Sequence, residues 1–247
     1  MSNDTVLYHS EGNIALITLN RPKEMNRING AMVEGLHQAW RRFMASDDRV
    51  AVVTGAGEKA FSAGADLAAP PSDLYRAMPN IGVPVDKPVI AATSGWVVGG
   101  AMVLTTMCDL LIASDTTRFS YPEVKVALSG GLISNLVTRI PHKIAMELLL
   151  VGEAMDVRRA YEVGYVNRIV SPADLMPVAM QFARKIAATA PLPSRMLKRF
   201  TAEALPKGPS ELAGIARVQV EAVTNSADAK EGLEAFAEKR PPNYKGK

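Results

Sequence analysis

Two stretches of small residues offer chemistry that uses the backbone rather than side chains. Residues 95–109 read GWVVGGAMVLTTMCD: Gly99 and Gly100 interrupt an apolar run, and no charged side chain appears before Asp109. Glycine inside an apolar element lets the backbone come close to something, either a neighbouring element or a bound ligand. Here the pair follows the strand-like PVIAATSGW and opens the helix-like AMVLTTMC. The first N–H groups of such a helix have no intrahelical acceptor, and the helix dipole adds partial positive charge behind them. That terminus would stabilise an anion, and a missing side chain would let the ligand reach the amide. A second stretch, GEKAFSAGADLAAP (57–70), follows the strand-like VAVVTG and places small residues around Gly64 and Ala65. Two amides from separate strand ends would together hold one oxygen that becomes negative during a reaction.

The elements that must position these amides are legible as an alternation of strand and helix. NIALITLN (13–20) is a β-branched apolar run closed by Arg21-Pro22, where proline ends the ladder. Asn29 is placed as a helix N-cap, with Met32, Leu36, Trp40, Phe43 and Met44 on one face. Residues 50–55, 88–95 and 109–114 read as buried strands, which predicts a mostly covered, largely parallel sheet. Strand signals then nearly vanish. Helices are expected at 131–139, 142–151 and 156–163, the last capped by Asp156, then a brief strand at 166–170. Helices at 172–189, 193–205, 208–225 and 227–239 complete the chain.

Composition narrows the function classes. The 247 residues carry 28 basic and 25 acidic side chains, a formal charge of +3 with no long block of one sign. Nucleic-acid binding is therefore not indicated, while an anionic small ligand is compatible. Cys108 is the single cysteine, so no internal disulfide forms and a reducing, cytoplasmic setting fits. The polar N-terminus lacks a signal-peptide pattern, and no apolar run reaches the roughly 18 residues of a membrane span. His9, His37 and His142 are scattered without metal-ligand spacing. No P-loop is present, and no G-x-G-x-x-G follows the first strand.

The ordered set LNRPKEMNRIN, GEKAFSAGADL, KPVIAATSGWVVGGAMVLTTMCDLLIAS, FSYPEVKVAL, AYEVGYVNRIV and AFAEKRPPNYKGK resembles the crotonase superfamily, the enoyl-CoA hydratase/isomerase family. The resemblance runs over essentially the whole chain. It implies an α/β fold: a crotonase-like ββα spiral core over residues 1–190 and an α-helical trimerisation region over 191–247. It further implies an acyl-CoA substrate and a homotrimer or dimer of trimers. Coenzyme A would enter as part of the substrate, with no separate cofactor and no metal.

By motif position, the resemblance makes Ala65 and Gly100 the two amides of an oxyanion hole and Glu123, in Tyr121-Pro122-Glu123, the single carboxylate at the reacting carbons. Two-carboxylate hydratases of the family carry a glutamate where this chain has Val103. That departure points to double-bond isomerisation or single-glutamate hydration rather than the two-glutamate mechanism. Other crotonase-type reactions stay open: a carnitinyl-CoA-dehydratase-like reaction, a hydroxycinnamoyl-CoA-type lyase or an acyl-CoA hydrolase. A CoA- or RNA-binding relative without catalysis is the non-enzymatic alternative. Met25 and Arg27 are expected near the pantetheine and nucleotide, Ala63 and Leu67 on the same groove, and Phe236 and Lys239 at the adenine–phosphate end. Asp66 is expected to brace its loop, and Tyr75, Ser129 and Ser134 are polar candidates for a second role. The turn VALSGGLISNL and the segment 68–86 are shorter than in many relatives, which leaves the acyl pocket's shape open.

Overall fold

In the computed structural model, which describes residues 5–128 and 131–247, the chain opens with a hairpin. Strand β1 (Val6–Glu11) turns through Gly12 and Asn13, at φ 60° and 63°, into β2 (Ile14–Leu19). Glycine and asparagine are the residues that best tolerate this left-handed turn. Helix α1 (Gly30–Ala45) follows, its first turn capped by the Asn29 side chain, which accepts from the Met32 amide at 3.0 Å. Next come β3 (Val50–Gly55), β4 (Ala60–Ser62), β5 (Val89–Thr93), β6 (Trp96–Val98), α2 (Gly100–Thr106), β7 (Leu110–Ser114) and β8 (Arg118–Ser120). The chain continues through α3 (His142–Val151), β9 (Met155–Asp156), α4 (Val157–Glu162) and β10 (Arg168–Val170). It ends with α5 (Leu175–Ala187), α6 (Pro191–Ala204), α7 (Pro209–Thr224) and α8 (Ala227–Glu238).

Strands β1, β2, β3, β5, β7 and β10 form one sheet in that spatial order, and β4, β6, β8 and β9 form a second. From β2 to β10 the first sheet is parallel, with β1 antiparallel at its edge. Each of β3, β5 and β7 hands over to a short strand of the second sheet before the chain returns, which is the ββα spiral that the resemblance implies. Residue alternation explains why β3 is apolar over its first four residues, 50–53. Val50 and Val52 pack with Ile14, Ile90 and Ile112 under α5, while Ala51 and Val53 join Ile17, Leu36 and Trp40 on the other side. A parallel sheet covered on both faces has no solvent side to mark with polar residues. Helix α5 meets it with Leu175, Ala179, Ala183 and Ala187, one residue per turn, and alanine lets the helix lie close.

Several expectations need correction. Strand β1 lies outside the run read as a strand, because an edge strand with exposed His9, Ser10 and Glu11 shows no apolar signature. The second sheet is built of strands two or three residues long, below the length at which periodicity speaks. The helix expected at 131–139 is present as a 3-10 helix over Leu132–Thr138. The expected helix over 172–189 splits into a 3-10 turn at Pro172–Asp174, capped by Ser171, and then α5. Helix α6, the first of the C-terminal helices, is tied to the core by Arg195, bidentate to Asp86 at 3.0 and 2.9 Å, and by Lys198 on Asp109 at 2.8 Å. No helix among the described residues is long and apolar enough to cross a membrane.

Candidate active site

The site is assembled from backbone first. The Ile28 amide donates to the Gly64 carbonyl at 2.8 Å, and the Asp66 amide donates to the Ile28 carbonyl at 2.9 Å. In such a parallel bridge the residue between, Ala65, must aim its own N–H and C=O the other way. Facing it is the start of α2. The Gly99 amide is taken by the Ser120 carbonyl at 2.9 Å, and the Gly99 carbonyl accepts from Met102 and Val103. The Gly100 N–H, at the first helical position, is left without an intrahelical acceptor. The gap between the two amides is narrow: a Cβ on Gly100 would lie 3.8 Å from the Ala65 nitrogen, and a Cβ on Gly64 would lie 3.4 Å from the Gly100 nitrogen. Among the described residues, neither amide finds an acceptor within the chain.

These amides open onto a cavity of about 290 Å³, whose walls are mostly apolar and include Pro71, Leu74, Val98, Tyr121 and Leu132. Glu123 is its only carboxylate among the described residues. The side chain comes from a 3-10 turn, Pro122–Lys125, directly after β8. It reaches the amides because position 99 has no side chain: a Cβ there would lie 2.5 Å from Glu123 Oε1. Gly99 also holds φ 55° and ψ −116°, a conformation natural only to glycine. Glu123 Oε2 is buried and has no hydrogen-bond partner. With no cation lining the cavity to offset its desolvation, the carboxyl is pushed up to about 7. A carboxyl poised there can both take and return a proton near neutral pH.

The other expected residues divide into those beside the cavity and those away from it. Ala63 and Leu67 line it together with Ala65 and Gly100. Met25 and Arg27 sit on the adjoining loop, whose Met25 carbonyl accepts from the Ala63 amide at 2.9 Å, but neither forms part of the wall. Asp66 is buried off the cavity and ion-paired to Arg21 at 3.5 Å and Arg27 at 3.6 Å, so it braces the loop. Val103, at the position where two-carboxylate hydratases of the family carry a glutamate, packs in the core and is not among the residues lining the cavity. Phe236 and Lys239 are exposed at the end of α8, and neither lines the cavity. Tyr75 donates to Glu221 at 2.7 Å, the Ser134 hydroxyl is buried beside Gly208, and neither residue lines this cavity. Ser129 lies outside the described residues. No group of three or more His, Cys, Asp or Glu among the described residues could hold a metal ion.

One residue that matters escaped the sequence reading. Asn26 is fully buried at φ 53°, its Nδ2 donating to the carbonyls of Ala56, Ala60 and Phe61 at 2.9, 3.0 and 3.1 Å. Its Oδ1 accepts from the Arg21 amide at 2.9 Å. It therefore ties the Met25–Ile28 loop to β4, and through Ile28 it sets the Ala65 amide. The only signal was an asparagine two residues after Glu24 in a turn, a residue type suited to a left-handed position.

With this geometry in place, the comparisons with known proteins agree among themselves. The sequence profile described as enoyl-CoA hydratase/isomerase matches residues 9–247. An (E)-benzylidenesuccinyl-CoA hydratase of Thauera aromatica is 37% identical over 249 residues, covering 94% of this chain and 96% of that protein. A carnitinyl-CoA dehydratase of Citrobacter koseri is 35% identical over 263 residues, covering 99% and 100%. The crystal structure of an enoyl-CoA hydratase from Mycobacterium tuberculosis matches the fold with a TM-score of 0.76 at 36% identity, covering 99% and 100%.

Proposed function

Since the chain belongs to the enoyl-CoA hydratase/isomerase family, we propose that it adds water to, or removes it from, the Cα–Cβ bond of an acyl-CoA thioester, with Glu123 as its single acid–base group. The observation that carries this reading is a desolvated carboxyl, its Oε2 without a partner, that lines the same cavity as two backbone amides without acceptors. The thioester oxygen sits between the Ala65 and Gly100 N–H groups. As water attacks Cβ, negative charge moves onto that oxygen, and each preorganised donor contributes about 3–4 kcal/mol to holding it. Glu123, ionised, takes one proton from the attacking water and then returns it to Cα. The hydroxyl ends on Cβ and the same proton on Cα, so one carboxyl completes the cycle; dehydration is the reverse. The relatives named for hydration and dehydration support this direction.

The nucleotide arm of coenzyme A leaves past Leu67, towards Met25 and Arg27. Phe236 and Lys239 then serve a neighbouring copy's site, in a homotrimer or dimer of trimers formed through α7 and α8. The exposed Val220, Val223, Leu233 and Phe236 side chains supply apolar surface for that contact.

A second reading rests on the same lone carboxyl: moving a double bond needs one base that takes a proton at one carbon and returns it at another. Crotonyl-CoA and a 3-enoyl-CoA, followed by the ultraviolet absorbance of the conjugated thioester, separate the two. Loss of absorbance with crotonyl-CoA is the expected result. Gain with the 3-enoyl substrate alone would replace hydration by isomerisation, and no change with either would remove both. The pH profile adds a check. The first step needs the carboxylate, so kcat/KM for hydration falls about tenfold per pH unit below about 7. A flat profile from acid to neutral pH would take Glu123 out of the step.

A further inference from the structure

The cavity beside Glu123 shares part of its apolar wall with a neighbour. A second cavity, of about 340 Å³, shares Pro71, Leu74 and Leu132 with it as walls and runs along helix α7. Leu74 stands at that shared boundary, here called the neck, and also over the amide site: a Cβ on Gly100 would lie 3.0 Å from its Cδ2. The neck is apolar, but the far part is not. Ser72, Ser210 and Arg217 line it, all hydrogen-bond donors, and no Asp or Glu does among the described residues.

Arg217, whose side chain is 60% exposed, is oriented by two neighbours. Its Nε donates to Glu221 Oε1 at 3.2 Å, and its guanidinium lies over the Tyr75 ring, 5.4 Å from the centroid. The Tyr75 hydroxyl donates to the same Glu221 oxygen at 2.7 Å. The helix can lie this close because residue 214 is glycine: a Cβ there would be 2.7 Å from Ile81 Cγ2 and 3.3 Å from Tyr75 Cβ. One edge of the guanidinium is thus anchored, while its two terminal nitrogens find no acceptor among the described residues. An arginine fixed in this way presents a planar pair of donors that matches a carboxylate.

Resting on the acyl-CoA reading above, we propose that this second cavity selects acyl-CoA thioesters whose acyl chain ends in a second carboxylate, with Arg217 as the recognising group. A neutral chain fills the apolar neck but offers nothing to the guanidinium. A chain ending in a quaternary ammonium meets like charge, and the Tyr75 face that would attract it is already covered by Arg217.

Saturated thioesters test this without depending on turnover. Adipyl-, suberyl- and sebacyl-CoA are each compared by calorimetry with the monoacyl-CoA of equal length, together with an acyl-CoA ending in trimethylammonium. For at least one length, the dicarboxylic thioester is expected to bind about tenfold more tightly than its neutral counterpart. The cationic chain is expected to bind more weakly than the neutral one. Arg217→Met erases the preference while leaving affinity for the neutral chains within about twofold, and Arg217→Lys restores part of it. Equal affinities at every length, or a preference that survives in Arg217→Met, would overturn the proposal while leaving the acyl-CoA reading intact. Failure of every acyl-CoA to bind would overturn both.

Discussion

Glu123→Gln is expected to lower turnover at least about 10²-fold while making the folded protein harder to melt above neutral pH. Glutamine keeps the size of the side chain and can still donate a hydrogen bond, but it can neither accept nor return a proton. The thermal effect follows from the same burial. In the folded protein the carboxyl titrates at about 7, against 4.5 when unperturbed, because desolvation opposes its charge and no cation lines the cavity. A pKa raised on folding means the carboxyl carries no penalty below the unfolded value. The penalty then grows with pH and is complete once pH passes about 7. The melting temperatures of wild type and variant should therefore coincide near pH 4. At alkaline pH they should separate by roughly 2–6 °C in the variant's favour, after discounting for the side chain's partial exposure. Loss of activity together with this gain in stability distinguishes a group built for chemistry from one that holds the fold. A Gln variant that turns over normally, or that melts lower at alkaline pH, would contradict the assignment.

Gly64→Ala is expected to reduce kcat by about 10²–10³-fold, the scale on which one oxyanion donor matters. Gly64 sits at φ 82°, and a Cβ there would lie 2.6 Å from the Val98 carbonyl oxygen. That neighbour is backbone of the strand leading into α2, so it cannot swing aside as a flexible side chain would. The loop must shift instead, and Ala65 moves away from Gly100. A control separates this from left-handed strain alone. Gly12 is also left-handed, at φ 60°, yet a Cβ there would meet nothing within 4 Å. Gly12→Ala should lower stability by about 1 kcal/mol with no change in kcat. Steady-state kinetics and thermal melts on both variants check the pair; equal kcat values would mean that the position of Ala65 is irrelevant to turnover.

The residues reveal different parts of this protein to different degrees. The central strands were legible because a sheet covered on both faces must be written as apolar runs, as β3 and β5 are. Asn29 and Asp156 could be placed because capping asks for a particular side chain at a particular position, and each accepts from the amide three residues on. The glycines at 64, 99 and 100 marked close backbone approach, though not which approach. The structure shows that Gly99 makes room for the Glu123 carboxyl and Gly64 for the Val98 carbonyl. The second sheet was illegible because its strands are too short to show a period, and its register comes entirely from the strands on either side. The Gly12-Asn13 turn was a readable hairpin signal, masked by the polar edge strand before it. Asn26 and Arg217 could not have been singled out. The role of each depends on groups distant along the chain: three carbonyls for Asn26, and the ring of Tyr75 for Arg217.

The most direct test of the central claim is a crystal structure of the protein with acetoacetyl-CoA, a thioester whose enolised form resembles the intermediate and which cannot be hydrated. The account predicts the thioester oxygen at about 2.7–3.1 Å from both the Ala65 and the Gly100 nitrogens, with the Glu123 carboxyl against the carbons next to it. An oxygen held by any other pair of donors, or a Glu123 side chain turned out of the cavity in that complex, would contradict it.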